Sequence, residues 1–210
     1  MRTLVIETAT AACSVALIEA GSVVARAHEV VGRGHAERLI PMIADLPDGG
    51  RADHILVDCG PGSFPGVRVG IAAARGLALG WGVSVSGFSS LPLIAAAALV
   101  ASPRDAIAVV MEGGHGEVFL QCFAADLSPH ADLASLKPDA ALAAIGALPA
   151  VGNGVRWLAV LDPSLDLTEA LPDAADAILL PSAWTTLAAR PIYGRAPDAK
   201  PTPSLVAPPR

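Results

Sequence analysis

Apolar and polar residues follow two different periods along this chain, and the switches between them mark its elements. Leu4-Val5-Ile6 and Cys13 to Ile18 are short apolar runs, and Gly21 turns the second into Val23-Val24-Ala25. Runs of this kind bounded by turn residues predict three strands. From His35 the period changes: Leu39, Ile40, Ile43 and Leu46 recur at three- and four-residue steps, which is a helix face, and Pro47, Gly49 and Gly50 end it. Ile55-Leu56-Val57 predicts a buried strand that runs into a glycine-rich segment, followed by a helix over 67–81, a strand at Val83-Ser84-Val85 and a helix over 91–101. The order β-β-β-α-β-α-β-α within about 100 residues implies a mixed sheet with helices packed on it.

Ser102-Pro103-Arg104-Asp105 is the best boundary, and beyond it the pattern restarts. Ile107 to Met111, a turn at Gly113-Gly114 and a run from Glu117 to Phe123 predict a hairpin. A helix is expected over 138–145, a short strand before Gly152-Asn153-Gly154, and a further helix near Ser182. The division is an α/β lobe over 1–102, a smaller α/β lobe over 106–190 that resembles a shortened repeat of the first, and a proline-rich tail over 191–210.

Composition narrows the function classes. With 53% apolar residues and a net charge of −6 the chain is expected to fold around a sizeable core. Residues 1–105 carry 8 basic and 9 acidic side chains and residues 106–210 carry 6 and 11, so the second half holds five of the six net negative charges. That balance repels phosphates and predicts poor nucleic-acid binding by this chain alone. Cys13, Cys59 and Cys122 are scattered and odd in number, which suits a reducing compartment and no disulfide framework. The longest apolar run, Leu91 to Ala101, is too short to span a bilayer, and Glu7 interrupts the apolar start that could pass for a signal peptide. A cytoplasmic, soluble protein is expected.

Gly60-Pro61-Gly62-Ser63-Phe64-Pro65-Gly66-Val67-Arg68-Val69-Gly70 is the most informative segment. A strand feeding glycines and then a helix leaves N–H groups at a helix N-terminus, a geometry that attracts anions. No Lys followed by Ser or Thr succeeds Gly66, so it is not a P-loop, and Pro65 stands where a dinucleotide fingerprint would need its third glycine. On spacing, a structural tight turn and an anion contact through Gly60, Pro61, Gly62, Ser63 and Gly66 both remain open. Arg68 could meet a phosphate, a partner carboxylate or a surface acid.

This segment resembles the G-P-G-S-F-T-G-x-R-x-G signature of the TsaB family, also called YeaZ. Val5-Ile6-Glu7-Thr8-Ala9-Thr10 with Cys13 to Leu17 resembles the family's opening, as do His35 with Leu39 to Ile43, Gly116 to Phe119, and Pro191-Ile192-Tyr193-Gly194-Arg195. The resemblance implies the actin-like, sugar-kinase and Hsp70 ATPase fold, with two related α/β lobes and the second shortened. It also implies a non-catalytic scaffold for TsaD, which transfers a threonylcarbamoyl group to an adenosine beside the anticodon of certain tRNAs, with a small ATPase, TsaE, as a third subunit. A homodimer, nucleotide held at the TsaD interface rather than required by this chain, and tRNA bound only through the complex belong to the same implication. Glu7 stands where the family has Asp and Pro65 where it has Thr, and both weaken nucleotide binding by this chain alone.

The rival chemistries are an independent actin-like ATPase or small-molecule kinase, and a metallopeptidase. Histidines 28, 35, 54, 115 and 130 include no pair at helical metal-ligand spacing, and no catalytic or metal-ligating set emerges. His35 reads as a surface or cap residue, His115 as part of a glycine turn, Cys59 as a buried small hydrophobe, and Glu112 and Glu117 as solvated acids. In the helix after the loop, Ala72, Gly76 and Gly80 form a row at four-residue steps. Glycine inside a helix costs up to about 1 kcal/mol against alanine, a cost tolerated where something approaches the backbone. The row either packs on this protein's own sheet or meets a partner helix, with Leu39 and Ile43 joining the same surface.

Overall fold

The computed structural model describes residues 1–195. The first lobe contains β1 (Arg2–Glu7), β2 (Ala12–Glu19), β3 (Ser22–Val30), α1 (His35–Ala44), β4 (His54–Asp58), α2 (Phe64–Trp81), β5 (Ser84–Phe88) and α3 (Ser90–Ala101). The second contains β6 (Ala106–Gly114), β7 (Glu117–Ala124), β8 (Ala134–Leu136), α4 (Pro138–Ile145), β9 (Ala150–Val151), α5 (Val155–Ala159) and β10 (Leu167–Thr168). A 3₁₀ segment, Ala174–Leu179, and a four-residue helix α6 (Ser182–Thr185) follow.

Strand order in the first sheet is β3-β2-β1-β4-β5, and in the second, read from its far edge, β8-β7-β6-β9-β10. In each, the first three strands pair antiparallel and the last two join in parallel. The two lobes therefore have one topology. The expected repeat is present, and the α/β fold is that of two related lobes with the second shortened.

Burial follows the two-residue period of a strand. Leu4 and Ile6 on β1 face a core with α1 and α2, while Val5 faces the opposite side. On β6, Ala108 and Val110 face α4 and α5, whereas Ile107, Val109 and Met111 face the first lobe. The inward faces of both sheets enclose α3 and the 3₁₀ segment in one shared core that holds Phe88, Leu91, Leu93, Phe119 and Phe123. Helix α3 is apolar on all sides because it is covered from both.

Several elements differ from the sequence expectation, each for a physical reason. Helix α2 begins at Phe64, three residues early, because Ser63 caps it and Pro65 suits a first helical turn. Strand β3 continues through polar residues to Val30 because it is a sheet edge with much of its surface in water. β8, β10, α5 and the 3₁₀ segment are too short to leave a periodic signal. Residues 174–192, placed by sequence with the second lobe, return to the first: Ala174 N–H donates to Ser14 Oγ at 2.9 Å, and Leu187 bridges to Gly87. Most of the expected proline-rich tail, residues 196–210, lies outside the described residues.

Candidate functional site: the glycine loop and the interlobe cleft

The loop that closes β1 presses directly on the head of α2, and the signature glycines make room for it. A Cβ on Gly62 would lie 2.0 Å from Ala9 O, one on Gly66 2.1 Å from Thr8 O, and one on Gly70 2.4 Å from Thr8 Oγ1. Thr8 Oγ1 donates to Gly66 O at 2.8 Å, and Ser63 N–H donates to Ala9 O at 2.6 Å. Gly60 alone in the loop needs glycine for its backbone, at φ +91°. These three close approaches tie two loops together; the spacing has a packing cause.

Few donors in the loop are left for an anion. Pro61 and Pro65 carry no N–H. Those of Gly60, Ser63 and Gly66 go to Asp58 Oδ1 at 2.6 Å, Ala9 O at 2.6 Å and Ser63 Oγ at 3.4 Å. Arg68 lies over the Phe64 ring, 3.8 Å from its centroid, a cation–π contact rather than a surface ion pair.

Two buried acids stand behind the loops. Glu7 ends β1 and Asp58 ends the neighbouring parallel strand β4, and neither has exposed surface. Glu7 Oε1 accepts from Ala9 N–H at 2.6 Å, and Oε2 accepts from Ser14 Oγ at 3.4 Å. Asp58 accepts from Gly60 N–H and, at 2.8 and 2.9 Å, from Ser90 Oγ. Burial raises Glu7 well above the usual carboxylate range, and the nearby Asp58 and Asp173 add to the rise. Burial likewise pushes Asp58 up to about 7, opposed by its hydrogen bonds from Gly60 and Ser90. Glu7 is thus turned back onto its own loop as a structural acceptor.

The loop faces a cleft of ≈ 900 Å³ between the lobes. On the opposite wall Gly152-Asn153-Gly154 occupies, after β9, the topological place that the glycine loop occupies after β4. Asn153 Oδ1 accepts from Glu112 N–H at 3.1 Å, and a Cβ on Gly152 would meet Val110 O at 2.3 Å. The sequence marked this segment only as a turn. Phe64 and Tyr193 stack at the rim with centroids 5.1 Å apart. Tyr193 was legible only through its motif, since nothing local in the sequence pairs it with Phe64.

Four other readings are corrected. His35 is buried, with Nε2 2.9 Å from Ala12 O, because α1 packs its first turn on β2. Glu112 is bound by Arg156 and by Trp157 Nε1, and Glu117 by Ser135 Oγ at 2.7 Å with Lys137 and Arg195 nearby, so neither is simply solvated. Leu39 and Ile43 are core residues with 1% and 2% exposure, and Ile40 and Pro41 are the exposed positions of α1. Cys59 is a buried small side chain as expected, with burial pushing its thiol up to about 12. Among the described residues, no three His, Cys, Asp or Glu side chains gather where a metal could bind, and no helix is long and apolar enough to cross a membrane.

Ala72, Gly76 and Gly80 all face outward, and a Cβ added at either glycine would meet nothing within 4 Å. Leu79 beside them is 87% exposed. The row does not pack on this protein's own sheet. Its glycines leave the α2 backbone open to a second surface.

Known proteins resemble the chain in the same parts. The model of the family described as TsaD, tRNA N6-adenosine threonylcarbamoyltransferase, matches residues 24–134. The tRNA threonylcarbamoyladenosine biosynthesis protein TsaB of Escherichia coli K12 is 40% identical over 125 residues, covering 57% of this chain and 53% of that protein. The Haemophilus influenzae TsaB is 36% identical over 121 residues, covering 55% and 51%. The chain thus matches about half the length of these curated relatives. A Pseudomonas aeruginosa structure described as similar to peptidase YeaZ superposes with a TM-score of 0.79 at 29% identity, covering 92% of this chain and 99% of that one. A second, titled YeaZ from Pseudomonas aeruginosa, gives 0.74 at 29% identity, covering 85% and 89%. With a family model matched over half its length and the same fold as two YeaZ structures, the chain belongs to the TsaB/YeaZ family, relatives of the threonylcarbamoyltransferase TsaD.

Proposed function

We propose that this protein is a scaffold subunit, without an active site of its own, of the machinery that makes N6-threonylcarbamoyladenosine on tRNA, and that it docks on a TsaD-type catalytic subunit through the outer face of α2. The pathway follows from the relatives named TsaB and from the TsaD-family match. The observation that carries the docking face is the open row of Ala72, Gly76 and Gly80 beside Leu79. Small residues at four-residue steps let a partner helix approach the backbone closely, and the exposed Ile40 and Pro41 of the adjoining α1 extend the same apolar surface. In this reading the same face accounts for self-association, with the homodimer and the complex competing for it.

The arrangement of the loops supports a non-catalytic role. Glu7 spends its carboxylate on Ala9 and Ser14, and the glycine loop spends its donors on the first hairpin. The chain itself requires no nucleotide; nucleotide is held where it meets TsaD, a TsaE-type ATPase joins the assembly, and tRNA is bound by the complex in the cytoplasm. The net charge of −6 fits a subunit that leaves phosphate binding to its partners.

Gly76→Leu tests the docking face. The side chain enters open space and leucine improves helix propensity, so folding stability should change by no more than about 0.5 kcal/mol. Light scattering with the TsaD-type subunit should show the complex lost while the melting temperature holds. A complex that forms as in the unmodified protein overturns the face. The pathway reading is tested separately by reconstitution, where omission of this chain should abolish tRNA modification by its TsaD-type partner, and unchanged modification would refute it.

A further inference from the structure

The two lobes are joined in two places on different sides of the cleft. One is the shared core around α3, which buries the inward faces of both sheets. The other is the segment that leaves α6 and crosses the cleft mouth. It starts on the first lobe: Ser86 Oγ donates to Thr185 O at 2.7 Å, Gly87 and Leu187 exchange both backbone hydrogen bonds at 2.7 and 3.1 Å, and Arg75 Nη2 donates to Ala189 O at 2.6 Å. Ile192 N–H then donates to Cys59 O at 2.7 Å, immediately before the glycine loop, and Tyr193 stacks on Phe64 at the head of α2.

The next two residues belong to the second lobe. Gly194 lies so close to Phe119 of β7 that a Cβ would sit 2.5 Å from the ring. Arg195 Nη1 is 3.7 Å from Glu117 Oε2, an acid that Ser135 and Lys137 already fix in place. Nine residues thus carry a continuous ladder of backbone bonds, one aromatic stack and one ion pair from the edge strand β5 to the hairpin β6–β7. Bodies joined at a single packed region can rotate about it, and a second attachment across the opening removes that freedom.

We infer that residues 187–195 are a strap that locks the angle between the lobes, so the width of the cleft is set by the chain itself and does not wait on a ligand. The glycines at both ends of its path serve this: Gly87 admits Ala188 O, which a Cβ would meet at 3.1 Å, and Gly194 admits the Phe119 ring. The consequence is a subunit whose surfaces keep one relative arrangement, with Phe64 on α2 held from the second lobe through Tyr193.

Hydrogen exchange by mass spectrometry on the full chain tests the strap with Gly194→Leu and, separately, the double variant Tyr193→Ala/Arg195→Ala. The double variant removes only rim contacts, so it decides the matter if Gly194→Leu disturbs Phe119 and unfolds the second lobe. In the unmodified protein, amides over 187–195 should exchange at least about tenfold more slowly than a free chain. In the variants they should speed up about tenfold, together with the cleft hairpin 111–116, while β1 and β4 keep their protection. Small-angle scattering should show a larger radius of gyration in the variants. Free-chain exchange of the strap in the unmodified protein overturns the inference, as does a double variant whose strap, hairpin and radius all match the unmodified protein.

Discussion

Both lobes use one strand order, but the first builds it from strands of five to nine residues and an 18-residue α2, and the second reduces its parallel strands β9 and β10 to two residues each and the matching helix α5 to five. The two glycine segments after β4 and β9 differ in the same sense. The first receives the Thr8-Ala9 loop and starts a long helix with an open outer face, while the second packs against the backbone of β6 and starts barely more than one turn. A sheet with two-residue strands has little pairing of its own, so the small lobe relies on surfaces supplied by the large one. The shared core and the return of residues 174–192 supply them. Shortening has left the second lobe as support for the first, and the first alone carries the surface proposed to meet a partner.

The largest effect is expected where the first lobe's helices meet its sheet. Leu39→Ala should cost about 2–5 kcal/mol, because it empties a fully buried site on α1. Its neighbour Ile40→Ala, on the exposed side, should cost less than about 0.5 kcal/mol. Denaturant titration of the pair separates the two faces of α1, and equal losses would contradict the assignment of Leu39 to the core.

A smaller effect compares the glycine segments themselves. Gly66→Ala drives a methyl into Thr8 O and should cost roughly 1–3 kcal/mol. Gly152→Ala, which meets Val110 O and also sits at φ +126°, should cost at least as much despite lying in the smaller lobe. Because one core unites the lobes, calorimetry should show a single transition in both variants. Two separate transitions would mean that the lobes fold independently.

The smallest expected effect is a change of pH dependence. Glu7 and Asp58 have folded-state pKa values raised above those of the unfolded chain. Their protonated forms favour the fold, so this stability is fully present below about pH 4 and is lost as pH rises towards and beyond 7. Glu7→Gln removes one of the two charges and keeps an acceptor for Ala9 N–H. Its melting temperature should exceed that of the unmodified protein at pH 8 and approach it at pH 5. A variant that melts lower at pH 8 would show that the carboxylate form is the stabilising one.

Local patterning alone made most strands of the first lobe legible, because Leu4-Val5-Ile6 and Ile55-Leu56-Val57 are buried on both faces and bounded by turn residues. The glycine loop was legible as a motif, and the family and fold came with it. Its purpose was not, since the contacts of Gly62, Gly66 and Gly70 with Thr8 and Ala9 join residues more than fifty positions apart. The periodic stripe Leu39, Ile40, Ile43 showed that α1 has an apolar face, but not whether that face meets its own sheet or another molecule. The same ambiguity held for Ala72, Gly76 and Gly80, and the structure resolved the two cases in opposite directions.

The sequence by itself determined the fold class, the doubled β-β-β-α-β-α-β order, the acidic balance and the loop signature. Each of these is written in residues close together in the chain or summed over all of it, where period, turn chemistry and charge act directly. Only the tertiary structure decided which helix face stays open, that Glu7 and Asp58 are buried together without a cation, and that the last described residues cross back to bind both lobes. Those features arise from contacts between distant segments, whose free energies depend on burial and geometry that no local window of sequence contains.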